Sequence, residues 1–222
     1  MQKLSRKERE KNARKEHILD IAEAIIAERG FEGTTMDEIA EKAEVGKGTL
    51  YIHFKSKSAI YLGICERGSK LLNQEMAKVL LLEVSGMELI EKIGEVYLQF
   101  VQTNPVYFHA FNYYENILND ELVAKSELVD RCEQSAKAAM TYIVRALQIG
   151  MQDGSIKSTF EPHELALIIW GASKGVVNMA FLKQKRNHMR ILDEVNFSLD
   201  TLIHGLIHLF ATGIKNDHQS KN

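Results

Sequence analysis

Between positions 46 and 57 the sequence concentrates residue types that bind polyanions. Lys47 and Lys57 supply positive charge, and Tyr51 and His53 can donate hydrogen bonds to oxygen acceptors. Side chains of these types are among those that contact the phosphate oxygens of nucleic acids. The segment is therefore a candidate for binding phosphates.

The same segment contains residues suited to close contact with a groove. Gly46 and Gly48 leave backbone N–H groups accessible at a helix start, where the helix dipole attracts anions. Thr49 is small and polar, so it can touch a base edge or a thymine methyl group. Leu50 and Phe54 are apolar, and we expect them to face inward. The pattern predicts a helix with one polar face and one buried face.

Two short helices joined by a tight turn must position this segment. Thr35 and Glu38 have capping-box spacing, which predicts that a helix begins there. Residues 44–46 then turn the chain, and a second helix follows over Lys47–Phe54. A longer amphipathic helix precedes both and ends at Gly30, a residue typical of helix ends. This order predicts a helix-turn-helix unit.

The charge is distributed unevenly along the chain. Residues 1–15 contain seven Lys or Arg and two Glu, whereas residues 69–222 contain fifteen Lys or Arg and eighteen Asp or Glu. A basic N-terminal arm on a slightly acidic body is typical of phosphate binding. A solubilising tail has the same composition, so the charges alone leave both interpretations open.

Composition narrows the class of protein. Only 2 of the 222 residues are proline, and runs of short strands between turns are absent, so we expect an all-α fold. Two cysteines are too few for a disulfide scaffold or a four-thiolate zinc site. The charged N-terminus lacks the apolar stretch of a secretory signal. No apolar run reaches the roughly 18 residues that cross a bilayer, because Lys174 interrupts the stretch Leu165–Leu182. By elimination we expect a cytoplasmic protein without a membrane partner.

Enzymatic and metal-binding signatures are missing from the sequence. We find no P-loop, dinucleotide fingerprint, nucleophile elbow or H-E-x-x-H motif, and we predict no catalytic residue and no cofactor. His204 and His208 are spaced as metal ligands can be on a helix, but no third ligand is evident. We therefore predict no metal site.

The stretches Ile18–Phe31 and Gly33–Lys57 resemble the TetR family of one-component regulators. The resemblance rests on a Thr-Thr-x-x-x-Ile-Ala segment, a Gly-Thr-Leu-Tyr-x-His-Phe segment and the lysine that follows. It implies an all-α fold with an N-terminal three-helix helix-turn-helix DNA-binding domain over residues 1–57. A C-terminal helical ligand-binding and dimerisation domain would occupy residues 58–222.

Carried over by position, the resemblance also implies which residues contact DNA. Base or groove contacts are expected from Lys47, Gly48, Thr49 and Ile52. Phosphate contacts are expected from Thr34 or Thr35, Gly46, Tyr51, His53 and Lys57. Gly46 stands where the family often has a serine cap, and Ile52 where an aromatic or polar residue is frequent. These departures affect one phosphate contact and the base preference.

The C-terminal part carries signals for a ligand and for a second subunit. Seven aromatic residues lie within positions 97–114, and an apolar pocket or a plain core both explain them. The candidate pocket residues are Tyr97, Phe100, Phe108, Phe111, Met140, Ile143 and Trp170. Apolar stripes on predicted helices 165–182 and 194–214, with Gly171 and Gly175 for close approach, favour a homodimer over a monomer core.

Together these expectations describe a ligand-responsive repressor. It would bind an inverted-repeat operator in double-stranded DNA as a homodimer, and a small lipophilic or aromatic effector would release it. An all-helical small-molecule-binding protein or enzyme without operator binding is the alternative. That alternative leaves the helix-turn-helix pattern unexplained.

Overall fold

A computed structural model describes residues 5–117, 125–183 and 190–216. Every regular element in these ranges is a helix, which confirms the predicted all-α fold. The helices are α1 (Arg6–Arg29), α2 (Met36–Lys42), α3 (Lys47–His53), α4 (Lys57–Val79), α5 (Gly86–Thr103), α6 (Pro105–Ile117), α7 (Glu127–Asp153), α8 (Pro162–Lys183) and α9 (Leu199–Ile214). A single 3-10 turn, Arg190–Asp193, precedes α9.

The chain divides into two compact units. Unit 1 comprises Met1–Lys70 and Asn104–Ser135, and unit 2 comprises Leu71–Thr103 and Ala136–Asn222. Two of the three limits between the units fall inside α4 and α7, and the third falls between α5 and α6. These limits describe which residues pack together. The predicted boundary between residues 57 and 58 separates a DNA-binding from a ligand-binding part, and it stays a prediction.

Helix α1 begins earlier than the apolar spacing indicated. Ser5 caps it: the Ser5 hydroxyl accepts from the Glu8 N–H at 3.3 Å, and the Glu8 carboxylate accepts from the Ser5 N–H at 2.8 Å. Such a capping box satisfies two backbone donors at a helix start. The basic arm is therefore helical from Arg6 onward, and its charges have fixed places on the surface of α1.

Helix α9 begins later than expected. The prediction placed its start at residue 194, but Leu199 is the first helical residue. Ser198 caps this helix, because its hydroxyl accepts from the Thr201 N–H at 3.1 Å. A serine at the N-cap position with a threonine three residues later indicates a helix start, and the apolar spacing did not show this.

Close helix contacts at glycine define unit 2. A Cβ atom added at Gly86 would lie 1.9 Å from the backbone nitrogen of Gly150, so α5 and α7 meet backbone to backbone. The Gly86 N–H also donates to the Asp153 carboxylate at 2.7 Å. At Gly94 a Cβ would lie 2.8 Å from Ile207, which marks a second close contact, between α5 and α9.

Helix α8 is apolar on more than its buried side. By length and composition alone it suffices to cross a membrane, with a mean hydropathy of 1.6, although Lys174 interrupts the apolar run. A single helix of this kind does not establish a membrane anchor. Only 22% of this apolar window is buried. Its exposed large apolar residues are Leu167, Ile168, Trp170 and Met179.

Candidate nucleic-acid interface

The buried side of the helix-turn-helix unit is formed by apolar residues of three helices. Leu50 and Phe54 are fully buried, as predicted, and so is Ile39 of α2. A Cβ at Gly63 of α4 would lie 2.9 Å from Leu19 and 3.1 Å from the Phe54 ring. The glycine thus lets α1 and the end of α3 pack directly on α4. This packing fixes the orientation of α3.

The turn between α2 and α3 depends on one strained residue. Glu44 has φ +52°, in the left-handed region that favours glycine. The Val45 N–H donates to the Ala40 carbonyl at 3.0 Å, which closes the end of α2. The chain can then reverse and start α3 at Lys47. Sequence reasoning placed the turn correctly but did not detect the strain.

The structure distinguishes the two threonines before α2. Thr34 is buried, and its hydroxyl donates to the Gly30 carbonyl at 2.8 Å. Thr35 is exposed, and its hydroxyl caps α2 by accepting from the Glu38 N–H at 3.2 Å. Of the pair named as phosphate contacts, Thr35 is the one at the surface, because Thr34 is committed to the interior.

The start of α3 is open at the surface. Gly46 caps the helix through its backbone alone, and Cβ atoms placed at Gly46 or Gly48 would meet nothing within 4 Å. Lys47 extends from this end and pairs with Asp37 of α2 at 2.7 Å. Both side chains are largely exposed, and the hydrogen bond to Asp37 raises the pKa of Lys47. Lys47 is therefore charged and accessible.

Further along α3 the exposed positions are Tyr51 and Ile52. Tyr51 is 43% exposed and Ile52 is 67% exposed, whereas Thr49 is half-buried. The hydroxyl of Tyr51 and the aliphatic side chain of Ile52 thus point away from the core. They remain candidates for the contacts that the resemblance implied.

Sequence reasoning missed three cations of α1 beside the end of α3. Burial lowers the pKa of His53, and the charges of Lys11, Arg14 and Lys15 lower it further. Lys11 and Arg14 are exposed. The net charge of the arm was noted from the sequence, but their position next to His53 follows only because the arm is helical. Lys11 and Arg14 add positive charge to the candidate interface.

Lys57 is held in place by Phe31. Its ammonium donates to the Phe31 carbonyl at 2.9 Å and lies 4.3 Å from the centre of the Phe31 ring. That ring in turn lies 4.5 Å from the ring of Tyr61 and 4.9 Å from that of Tyr113. An ammonium has three donors, so a phosphate can still bind to this positioned lysine.

An open cleft of about 560 Å³ lies between α1 and the helix-turn-helix turn. Its walls are Glu10, Ala13, Arg14, His17, Ala43, Glu44, Val45, Gly46 and Thr49. His17 spans it, with its Nε2 atom 3.3 Å from the Ala43 carbonyl oxygen. The cleft therefore adjoins α3, and none of the residues predicted to bind a ligand lines it.

The seven predicted ligand-binding residues fall in both units. Phe108 and Phe111 belong to unit 1, and the other five belong to unit 2. Phe100, Phe108 and Ile143 are buried, whereas Phe111, Met140 and Tyr97 are half-buried. Burial raises the pKa of Tyr97. Trp170 is 48% exposed on α8, a position that suits an interface better than a pocket wall. The pocket itself stays a prediction.

Comparison with known proteins finds a family match over the helix-turn-helix segment. The family described as "Bacterial regulatory proteins, tetR family" matches residues 18–64. The helix-turn-helix-type regulator YhgD of Bacillus subtilis is 28% identical over 144 residues, which are 65% of this chain and 72% of YhgD. The biofilm operon negative transcriptional regulator IcaR of Staphylococcus aureus is 45% identical over 47 residues, 21% of this chain.

The matches to two of the relatives cover only a short part of each protein. The match to IcaR covers a quarter of that protein's length, and another B. subtilis regulator, YerO, is matched over 19% of its length. The fold similarity extends further. The B. subtilis regulator FadR, solved in complex with stearoyl-CoA, superimposes with a TM-score of 0.64 at 20% identity, covering 89% of this chain and 98% of FadR.

Motif, fold and relatives agree. The matched residues 18–64 contain the turn and the helix α3 whose polar face is open. The relatives are described as helix-turn-helix-type transcriptional regulators. Residues 18–64 therefore match the helix-turn-helix segment of the TetR family of bacterial transcriptional regulators, and the described helices share the fold of solved structures from that family.

Proposed function

We propose that the protein is a ligand-responsive repressor that binds an inverted-repeat operator as a homodimer in the cytoplasm. One observation carries the proposal: α3 buries Leu50 and leaves Lys47, Gly48 and Ile52 exposed. A recognition helix needs this arrangement, because its buried side chains hold it on the protein core while its exposed side chains contact base edges.

The proposed contacts divide by chemistry. Lys47, Gly48, Thr49 and Ile52 face base edges in the major groove. Thr35, Gly46, Tyr51, His53 and Lys57 contact phosphates, joined by Lys11 and Arg14 of α1. A phosphate next to His53 would favour its charged form, against the neighbouring cations that lower its pKa. Phosphate contacts supply affinity and register, and base contacts supply sequence preference.

The dimer forms through the region 165–182 and 194–214. The exposed face of α8 supports this proposal, because Leu167, Ile168 and Met179 share it with Gly171 and Gly175. Cβ atoms at these two glycines would meet nothing within 4 Å. A second copy could approach α8 closely there and cover the apolar side chains. The two recognition helices would then read half-sites about 34–36 Å apart.

The effector is a small lipophilic or aromatic compound. The apolar character of the candidate residues supports this class, and the similar fold of FadR holds stearoyl-CoA. A long acyl chain is therefore a reasonable first compound to test. Among the candidates in unit 2, Tyr97 supplies a hydroxyl and Trp170 an indole N–H, and the other three are apolar.

Effector and operator would be coupled through α4. The first half of α4 is bound to α1 by Arg67, which pairs with Glu16, Asp20 and Glu23 at 2.7–2.8 Å. Any shift of this half must therefore move α1 or break three ion pairs. The effector must prefer the spacing of recognition helices that does not fit DNA, since equal affinity for both states would shift nothing.

A footprint on the DNA around the protein's own coding region tests the proposal. We expect protection of an inverted repeat that disappears when an effector is added. Thermal-shift screening with acyl-CoA thioesters, fatty acids and aromatic compounds identifies that effector, because a bound ligand raises the melting temperature. Absence of a discrete footprint, together with a ligand-induced thermal shift, would favour the small-molecule-binding protein or enzyme instead.

A further inference from the structure

Ile52 occupies a special position on α3. Leu50 and Phe54 are both fully buried and define the inward side of the helix. Ile52 lies two residues after Leu50, which places it about 200° around the helix axis, on the opposite side. Its exposure of 67%, against 43% for Tyr51, agrees with that placement.

The surroundings of Ile52 leave its side chain free on one flank. Gly48 is one turn earlier on the same face and has no side chain, and a Cβ there would meet nothing within 4 Å. The exposed residues nearby, Lys47, Tyr51 and Lys55, all carry polar groups. Isoleucine is β-branched and holds few rotamers, so its direction is fixed before any partner binds. Ile52 is thus a rigid apolar projection from a polar surface.

An apolar projection in the major groove has one complementary group on unmodified DNA. Among the unmodified bases, only thymine presents a methyl group in the major groove, where cytosine has a C5–H; the remaining edge atoms are hydrogen-bond donors and acceptors. We propose that Ile52 selects a thymine in each half-site by packing against its 5-methyl group. This inference rests on the proposed function, because it requires α3 to lie in the major groove.

The test removes the methyl group without changing a hydrogen bond. Selection from random-sequence duplexes with the full-length protein gives an enriched inverted repeat, which serves as the probe. Each thymine is then replaced by deoxyuridine, singly and together with its symmetry mate. Loss of one buried methyl contact should weaken binding about fourfold, and loss in both half-sites about fifteenfold. We expect this loss at one symmetric pair of thymines.

The Ile52→Ala variant tests whether the loss of affinity on deoxyuridine replacement depends on Ile52. The substitution is at an exposed site, so the melting temperature should stay unchanged. In this variant the deoxyuridine penalty should fall below twofold. Tyr51→Phe is the matched control, because it alters the neighbouring exposed residue and should retain the full penalty whatever its overall affinity.

The outcomes separate the inference from the proposed function. A wild-type protein indifferent to every deoxyuridine replacement, or an Ile52→Ala variant with an unchanged penalty, overturns the role of Ile52 while operator binding stands. A selection that enriches no inverted repeat overturns the proposed function and the inference together.

Discussion

Different kinds of interaction stabilise the interior of each of the two units. In unit 1, the adjacent α4 residues Glu66 and Arg67 bind charged partners on other turns and helices. The partners of Glu66 are Lys70 at 2.6 Å, Arg131 at 2.9 Å and Lys15 at 3.9 Å, and those of Arg67 are Glu16, Asp20 and Glu23. In unit 2, helices meet at glycines, most closely where Gly86 crosses Gly150.

The difference teaches how each unit should respond to a change. Ion pairs depend on pH and ionic strength, and their energy falls gradually as groups move apart. Contacts at glycine depend on volume, and a single added methyl group disrupts them. The exposed surfaces differ in the same way, since α3 is mainly polar and α8 is largely apolar. Unit 1 thus suits a polyanion and unit 2 suits another apolar surface.

The largest effect is expected on the apolar face of α8. Ile168→Lys places a charge at both symmetry-related positions of the proposed dimer, and an unpaired buried charge costs about 3–5 kcal/mol. We expect a monomer in sedimentation equilibrium and operator affinity lowered more than 100-fold. Leu81→Lys is the control, because Leu81 is 81% exposed and lies outside α8. A dimeric Ile168→Lys protein would place the interface elsewhere.

Gly86→Ala tests the close contact in unit 2. The added Cβ would collide with the backbone of Gly150, and overpacking of this kind lowers the free energy of unfolding by about 3 kcal/mol. Urea unfolding measures the loss. Gly48→Ala is the matched control in unit 1, where the added atom meets nothing and stability should change by less than about 1 kcal/mol. Equal losses in both variants would remove the contrast between the units.

Glu66→Gln tests the buried charge in unit 1. Burial pushes the pKa of Glu66 up, but the hydrogen bond from Lys70 and the charges of Lys70, Arg131 and Lys15 outweigh it, so the pKa is lowered. Removing a charge-assisted hydrogen bond at this site should reduce stability by about 2 kcal/mol at pH 7. The exposed pair of Glu75 and Lys78 is the control, and Glu75→Gln should change stability little.

The sign of the pH dependence follows from the lowered pKa of Glu66. Its stabilising contribution is complete above the unfolded value of about 4.5 and is lost as the pH falls through the lower folded value. Wild type should therefore lose stability over that acid window more steeply than Glu66→Gln. Parallel curves for the two proteins would show that this carboxylate does not titrate as described.

A smaller effect is expected for Lys57→Ala, measured on DNA. Loss of one phosphate contact should weaken binding to all sequences and make the slope of log K against log salt less negative by about one unit. Lys78→Ala changes an exposed lysine on another part of the surface and should leave the slope unchanged. An unchanged slope for Lys57→Ala would show that Phe31 holds this lysine away from phosphates.

The smallest effect concerns the turn between α2 and α3. Glu44→Gly relieves a backbone with φ +52° and should raise the free energy of unfolding by about 0.5–1 kcal/mol. Glu44→Ala removes the same charge but keeps the strain, so it separates the two causes. If alanine stabilises as much as glycine, charge and not backbone strain is responsible.

Sequence predicted the helix-turn-helix more completely than the rest of the chain. Thr35, Leu50 and Phe54 have the predicted cap and core positions because their signals are local and repeat at helical spacing. The start of α9 at Leu199 was predicted five residues too early, and the exposure of Trp170 became known only from the structure. An apolar stripe predicts that one face of a helix is buried, but it does not indicate whether the same chain or a second chain buries it.

The amino-acid sequence by itself determined the helical class, the family motif and the residue types available on α3. Tertiary structure decided that Thr34 is buried and Thr35 exposed, that His53 lies beside Lys11 and Arg14, and that α8 keeps an apolar face open. Caps and periodicity act over a few residues, so they can be read along the chain. Burial, ion pairing and pKa depend on residues brought together from distant positions, and only the fold specifies those neighbours.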